Sequence, residues 1–345
     1  MKNQFEGKTI LVTGGTGSIG LEIVRQLLKY NPKAIRIFAR HEDRHYHLMH
    51  DFGLGNSTLR FIVGDVRDKD RLRMAMDGVD IVFHAAALKQ VPICEYNPFE
   101  AVKTNIIGVQ NVIEAAREEN VEQVIGISTD KVAEPQGVLG VSKLMAEKLF
   151  LATYYYGGGK RTKFSCVRFG NVLGSRGSLL PLLRKQIFGN KEITITAPDM
   201  TRFVMTIPQA VNLVLRAANL SQGQEIFILK MPSVRLGDLI DAAVHYYAPL
   251  AGKKKEDVKI KVIGARDGEK FHEQLLANHE VDKVLETEDM YILTPHEKVN
   301  NREYAKVYPS TVKGVKGIQF SSEHAPKLDL SELLRLVEEA DLHQV

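Results

Sequence analysis

The tightest constraint on this chain lies near its start. Thr9-Ile-Leu-Val-Thr13 is a β-rich run that breaks at once into Gly14-Gly-Thr-Gly-Ser-Ile-Gly20, and Leu21, Ile23, Val24, Leu27 and Leu28 follow at helical spacing. Strand, glycine turn and helix in this order form the opening unit of an open α/β sheet that holds a dinucleotide. Gly14 permits the tight turn, Gly17 lets the backbone approach a pyrophosphate, and Gly20 lets the helix close on the strand. The helix amino end, around Thr16, Ser18 and Ile19, supplies free amides and the positive end of a dipole.

The next segments continue the pattern. Ile35 to Ala39 reads as a second strand, and it ends without the acid that would hold an unphosphorylated ribose. Arg40 and Arg44 stand there instead. A planar guanidinium pairs with phosphate oxygens through two hydrogen bonds, so the expected cofactor is NADP rather than NAD. The competing reading pairs Arg40 with Glu42 or Asp43 on the surface. Leu59 to Val63 ends in Gly64-Asp65-Val66, where Asp65 and the Val66 amide suit an adenine, or Asp65 caps the next helix. Asp80 to His84 leads into Ala85, Ala86 and Ala87, small residues that let backbone lie flat against a cofactor, with Lys89 the nearest charge. From Phe99 to Asn120, the residues Val102, Ile106, Val109, Val112 and Ile113 share one helical stripe that should pack on the sheet.

A later apolar run, Val124 to Ile127, ends in Ser128-Thr-Asp-Lys131, and Lys143 follows on an amphipathic segment. In such sheets ligands bind beyond the carboxyl edge of the strands, so these proton-handling side chains face whatever the fold holds.

Bulk composition narrows the partners. The chain has 345 residues, enough for one large α/β domain with an added lobe, or for two domains. Its 46 basic and 42 acidic residues leave a net charge of +4, too small to imply nucleic acid or a membrane surface. It carries no run of about 18 apolar residues and no apolar leader core, which makes cytoplasmic the expected localisation. Cys94 and Cys166 have no metal-ligand spacing and read as packing residues or free thiols. His41, His45, His47 and His50 read as a solvated helix face, and no metal is expected.

Several stretches resemble a known family. Gly-x-x-Gly-x-x-Gly is similar to the extended branch of the short-chain dehydrogenase/reductase superfamily. His84-Ala-Ala-Ala-Leu-Lys-Gln-Val-Pro92, Glu95-Tyr-Asn-Pro98, Ser128-Thr-Asp-Lys131 and Gly170-Asn-Val-Leu-Gly-Ser-Arg-Gly-Ser178 resemble the dehydratases that act on UDP-N-acetylglucosamine, the inverting and retaining 4,6-dehydratases. The resemblance runs from Phe5 to the final helix. It implies a Rossmann-type doubly wound parallel sheet with a smaller C-terminal α/β substrate lobe. Residues 1–170, with a return around 204–230, would bind NADP, and 171–203 with 231–345 would bind the nucleotide sugar.

The resemblance also assigns roles. Lys131 would remove the sugar C5 proton, while Asp130, helped by Thr129, would protonate the departing C6 hydroxyl; Lys143 would hold the nicotinamide ribose. Lys89, Lys131, Asn171, Val172, Arg202, Arg266 and Glu269 would bind the UDP-sugar, with Arg266 on the pyrophosphate and Glu269 on a ribose hydroxyl. Asn105 would hold a bulge or water near the site, although a surface asparagine fits the sequence equally well. Helices such as 99–120 pair subunits in related proteins, so a homo-oligomer, dimer or hexamer, is expected. One departure matters: the family's Tyr-x-x-x-Lys pair keeps only its lysine, because Leu139 stands four residues before Lys143. Leu139 resembles the Met-bearing form of large membrane-attached relatives that remain active. Tyr154, Tyr155 and Tyr156 lie roughly 20 Å further along a helix at ~1.5 Å per residue and are poor substitutes. The short architecture points to inversion at C5 and Leu139 to retention. Two alternatives stand beside the dehydratase: an altered member acting on a 4-keto or 5,6-ene UDP-sugar, and a non-catalytic NADP-binding sensor.

Overall fold

The computed structural model describes residues 3–342 except 54, 154, 156–161, 295–307, 309–311 and 314–319. Of the tyrosines considered above, Tyr154 and Tyr156 lie outside the described residues. The parallel strands are β1 (Thr9–Thr13), β2 (Ala34–Ala39), β3 (Leu59–Val63), β4 (Ile81–His84), β5 (Gln123–Ile127), β6 (Lys163–Arg168) and, later in the chain, β10 (Ile226–Leu229). Their order is β3-β2-β1-β4-β5-β6-β10, the doubly wound arrangement expected from the sequence. The order reverses between β1 and β4, which opens a crevice at the carboxyl edge there. β1 is buried along its whole length, as a strand covered by helices on both faces must be.

Helices α1 (Ser18–Leu27), α2 (Glu42–Asp51), α3 (Lys69–Met76), α4 (Val91–Tyr96), α5 (Pro98–Ala101), α6 (Gly108–Glu118) and α7 (Val138–Ala152) occupy the connections. α8 (Leu179–Phe188), α10 (Leu236–Leu250) and α11 (Leu330–Leu342) close a second core around Leu180, Leu183, Leu239, Tyr247 and Val337. That lobe also holds β7 (Asn171–Val172), β8 (Ile193–Ile195), β9 (Thr201–Met205), β11 (Ser233–Arg235) and β12 (Ile260–Val262). α9 (Ile207–Leu220) returns to pack on α1. β13 (Val284–Glu286), β14 (Met290–Leu293) and β15 (Val312–Lys313) extend the main sheet in antiparallel fashion beyond β10, so this stretch of 231–345 builds on the dinucleotide sheet rather than on the lobe.

Three local expectations are corrected. The stripe on 99–120 holds from Val109 onward, but Val102 is exposed, because residues Val102–Ile107 wind as a π-helix whose wider turn rotates the register. Asp65 does not cap α3; Asp68 does, accepting from the Arg71 amide at 2.9 Å. His45 is not on a solvated face: it is buried, 3.1 Å from the Ala39 carbonyl oxygen and edge-on to Phe61. Among the described residues no cluster of metal-ligating side chains occurs, and no helix is long and apolar enough to cross a membrane.

Candidate active site

Two adjoining clefts open at the carboxyl edge of the sheet. The first, about 470 Å³, is lined by Gly14, Thr16, Gly17, Ser18, Ile19, Gly20, Arg40, Arg44, Asp65, Val66, Ala85, Ala86 and Lys89, every residue the sequence proposes for the cofactor except Lys143. Gly14 sits at φ +67, and a Cβ there would meet the Ala86 nitrogen at 2.7 Å; at Gly20 a Cβ would fall 2.3 Å from the Gly14 carbonyl oxygen. The turn thus requires glycine at both positions, and it leaves the α1 amides uncapped by any side chain. These features fit a dinucleotide. Arg40 lies 3.7 Å from Asp65 rather than on Glu42 or Asp43. Burial pushes the Asp65 carboxyl up, but hydrogen bonds and charge from Arg67, with Arg40, bring it below its ordinary value.

Arg176 is a residue that sequence reasoning quotes but leaves without a role. Its guanidinium donates to the Thr16 carbonyl and its backbone N–H to Ser18 Oγ at 2.9 Å, so the 170–178 loop lies across the glycine turn. Burial, then Arg44, lowers the Arg176 pKa, and burial, then Arg176, lowers that of Lys89. Three cations therefore crowd one region, a favourable setting for phosphate.

The second cleft, about 390 Å³, is lined by Thr129, Lys131, Lys143, Lys89, Asn171, Val172, Arg202, Arg266 and Glu269, the whole expected substrate set with the catalytic residues other than Asp130. Ile19, Ala85, Lys89 and Gln90 line both clefts, so the two are continuous. Asp130 is fully buried behind the wall, and Thr129 Oγ1 donates to its Oδ1 at 3.0 Å, linking it to the cleft.

Lys131 is held from three sides. Its Nζ lies 3.0 Å from Asp130 Oδ1, 3.0 Å from Asn171 Oδ1 and 3.1 Å from Glu273 Oε1. Glu273 is the principal residue that the sequence leaves unassigned; it follows Arg266 and Glu269 on the same loop, with no periodicity to mark it. Burial raises the Asp130 pKa, Lys131 opposes this, and Glu273 adds to the rise. Burial alone would lower Lys131, but Asp130 and Glu273 together hold it above its ordinary value. Glu273 ends below its ordinary value despite burial, since Lys131, Arg202 and Lys270 surround it. The side chains of Arg202 and Glu269 pair at 3.0 Å, while Arg266 is exposed at the mouth.

α7 begins beside the cleft because Glu95 Oε1 accepts from the Val138 amide at 2.6 Å, a carboxylate on a helix amino end. The next residue, Leu139, is buried against Cys94 and Ala101 and lines the cleft with no proton to give. Lys143 Nζ donates to the Ile127 carbonyl at 2.8 Å, and burial brings its pKa down to about 8 against the raising effect of Cys166, Glu147 and Cys94. Asn105, buried in the π-helix, accepts from the Leu88 amide at 2.8 Å and donates to the Leu88 carbonyl and Ser142 Oγ, which ties the β4 loop to α7.

Residues 10–295 match a family model described as "Polysaccharide biosynthesis protein". An uncharacterized membrane protein of Methanocaldococcus jannaschii is 54% identical over 310 residues, 90% of this chain and 92% of that protein. A protein of Campylobacter jejuni named UDP-N-acetylglucosamine 4,6-dehydratase (inverting) is 41% identical, covering 94% of this chain and 95% of its own. One of Rickettsia bellii named UDP-glucose 4-epimerase is 39% identical over 99% and 98% of the two chains. The X-ray structure of Pen from Bacillus thuringiensis superposes with a TM-score of 0.90 at 39% identity, over 98% of this chain and 99% of that one. With a family match over most of its length and near-full-length relatives, the chain belongs to the polysaccharide biosynthesis protein family, built on the extended short-chain dehydrogenase/reductase fold.

Proposed function

We propose that this enzyme converts UDP-N-acetylglucosamine to a UDP-4-keto-6-deoxy-N-acetylhexosamine, with inversion at C5. The observation that carries the reading is Lys131, set between Asp130 and Glu273 on the wall of the substrate cleft, which is continuous with the dinucleotide cleft. A bound nicotinamide dinucleotide supplies the hydride acceptor for C4 and the donor for C6. The protein supplies the proton steps. Oxidation at C4, whose hydroxyl proton leaves through Thr129 or a water, acidifies the C5 proton, which Lys131 removes; Asp130, through the Thr129 hydroxyl, protonates the C6 oxygen so that it leaves as water. Lys143 holds the nicotinamide ribose, and Arg202, Arg266, Glu269, Asn171, Val172 and Lys89 hold the nucleotide sugar. Inversion follows the relatives named as inverting dehydratases. Arg40 and Arg44 at the cofactor cleft favour NADP.

The test is incubation with UDP-N-acetylglucosamine and NADP⁺ alone. Loss of one water in the mass spectrum is the expected result, and unchanged substrate refutes the reading. Leu139 favours a second reading, in which C4 oxidation is weak and the protein acts on a 4-keto UDP-sugar made elsewhere; turnover of that ketone with none of the alcohol would establish it. A homo-oligomer is also proposed: Tyr96, Phe99, Val102, Val141 and Met145 are exposed on packed elements α4, α5, the π-helix and α7, an apolar face suited to a second copy. Light scattering of Phe99→Glu checks it; an unchanged mass rejects this face.

A further inference from the structure

The Lys131 ammonium is held on three sides: its Nζ donates to Asp130 Oδ1 and Asn171 Oδ1 at 3.0 Å each and pairs with Glu273 Oε1 at 3.1 Å. No lone pair is left to take a proton from carbon. To become a base, Lys131 must first hand a proton to one of its neighbours. The Asn171 amide oxygen is too weakly basic to hold one. Asp130 must already carry a proton if it is to protonate the leaving hydroxyl, and its complete burial favours that form. Glu273 remains. Its side chain is 2% exposed, its amide is fixed by Ser322 Oγ at 2.9 Å, and its Oε2 has no hydrogen-bond partner among the described residues.

We propose that Glu273 is a positioning residue: ion-paired with Lys131 in the free site, it accepts the lysine's proton once the 4-keto sugar is bound and so turns the lysine into the C5 base. The inference rests on the dehydratase reading above and deepens it. The proton count closes. An N–H bond of Lys131 breaks as an O–H bond forms on Glu273. The freed amine takes the C5 proton, and the C5 electron pair passes into conjugation with the C4 ketone. That pair then expels the C6 oxygen, which receives the Asp130 proton through Thr129 and departs as water. The cluster has gained one proton from C5 and given one to water. Because Lys131 touches both carboxyls, a proton moving from Glu273 through Lys131 to Asp130 restores the cluster; solvent takes the C4 hydroxyl proton at oxidation and returns one to C5, on the opposite face, once hydride has reached C6. The other charges facing the cluster are fixed cations: Arg202 beside Lys131 and Glu273, and Lys270, whose Nζ lies 3.9 Å from Glu273 and donates to the Ala133 carbonyl near Glu134.

The test compares wild type, Glu273→Gln and Glu273→Asp. Two rates are followed with UDP-N-acetylglucosamine: reduced-nicotinamide absorbance for C4 oxidation, and deuterium uptake at C5 from heavy water. Glu273→Gln should retain C4 oxidation but lose C5 exchange by about 100-fold or more. Its residual exchange should climb about tenfold per pH unit through neutrality, since Lys131 must now shed its proton to solvent, whereas wild type stays flat. Glu273→Asp should recover the flat profile. Equal loss of both rates with an unaltered pH profile marks a purely structural role and overturns the proposal, as does unimpaired exchange in Glu273→Gln. If Glu273→Gln does not fold, Glu273→Ala takes its place: exchange that rises with pH supports the relay, and a flat, fully active profile refutes it. If wild type oxidises nothing, the dehydratase reading fails. The Glu273 link is then judged by acetylation of Lys131 with acetic anhydride, whose onset shifts to lower pH in Glu273→Gln if the contact holds the proton and stays put if it does not.

Discussion

Two buried clusters in this protein have the same make-up, one cation between two carboxylates, and opposite finish. Arg168 at the end of β6 donates from Nε and Nη2 to Glu147, from Nη1 and Nη2 to Glu280, and from Nη1 to the Leu275 carbonyl, so all five of its N–H donors are used. Glu147 also accepts from Ser128, and Glu280 from the Ala277 amide at 2.9 Å. The Lys131 cluster, a few residues away along the chain from Ser128, leaves Asp130 Oδ2 and Glu273 Oε2 without hydrogen-bond partners among the described residues. A saturated cluster has one protonation state and can only hold segments together. An incomplete one keeps oxygens that can take up or release a proton, which is what chemistry on a sugar needs.

The contrast can be broken by removing each cation. Lys131→Ala should cut product formation by about 10³-fold or more while the cofactor stays bound, because Asp130 and Glu273 can each take up a proton once unpaired. Melting within a few degrees of wild type is expected in scanning fluorimetry; surviving turnover means that the base is elsewhere. Arg168→Met should do the reverse. It strands two buried carboxylates and should cost about 3–5 kcal/mol of stability. A melting temperature near wild type would show that the saturated cluster is not structural.

Lys143 sharpens the comparison through pH. Its folded pKa, about 8, lies below the ordinary 10.5, so between those values the unfolded chain binds more protons than the folded one. Burying this lysine therefore costs stability in full below about pH 8, and the cost fades as pH rises toward 10.5. The cofactor-free protein should gain stability over that window in urea titrations, and Lys143→Met should flatten the gain. The smallest effect concerns the phosphate region: Arg44→Ala should reduce the preference for NADP⁺ over NAD⁺ by about tenfold in calorimetry, the worth of one charge-assisted pair. An unaltered ratio would leave Arg40 and Arg176 as the phosphate ligands.

Much of the site is legible in the chain because its parts are local. Thr129, Asp130 and Lys131 are consecutive, and the glycine turn between β1 and α1 carries its geometry in seven positions. The solvated reading of His45 fails for lack of neighbours: its contacts, the Ala39 carbonyl and Phe61, lie on strands β2 and β3. Val102 misleads for another reason, since helical periodicity assumes 3.6 residues per turn and the π-helix does not obey it.

Local pattern was enough to specify the parallel dinucleotide sheet, the crevice at its carboxyl edge and the lysine–aspartate pair, because strand, turn and helix signals act over a few residues. Chain-distant closure assigned everything else. Glu273 meets Lys131, Arg176 crosses the glycine turn, Glu95 seats α7 and Arg168 gathers two glutamates from separate segments. Whether a buried charge is satisfied or left able to move a proton depends on partners brought from far along the chain, and no spacing rule encodes that.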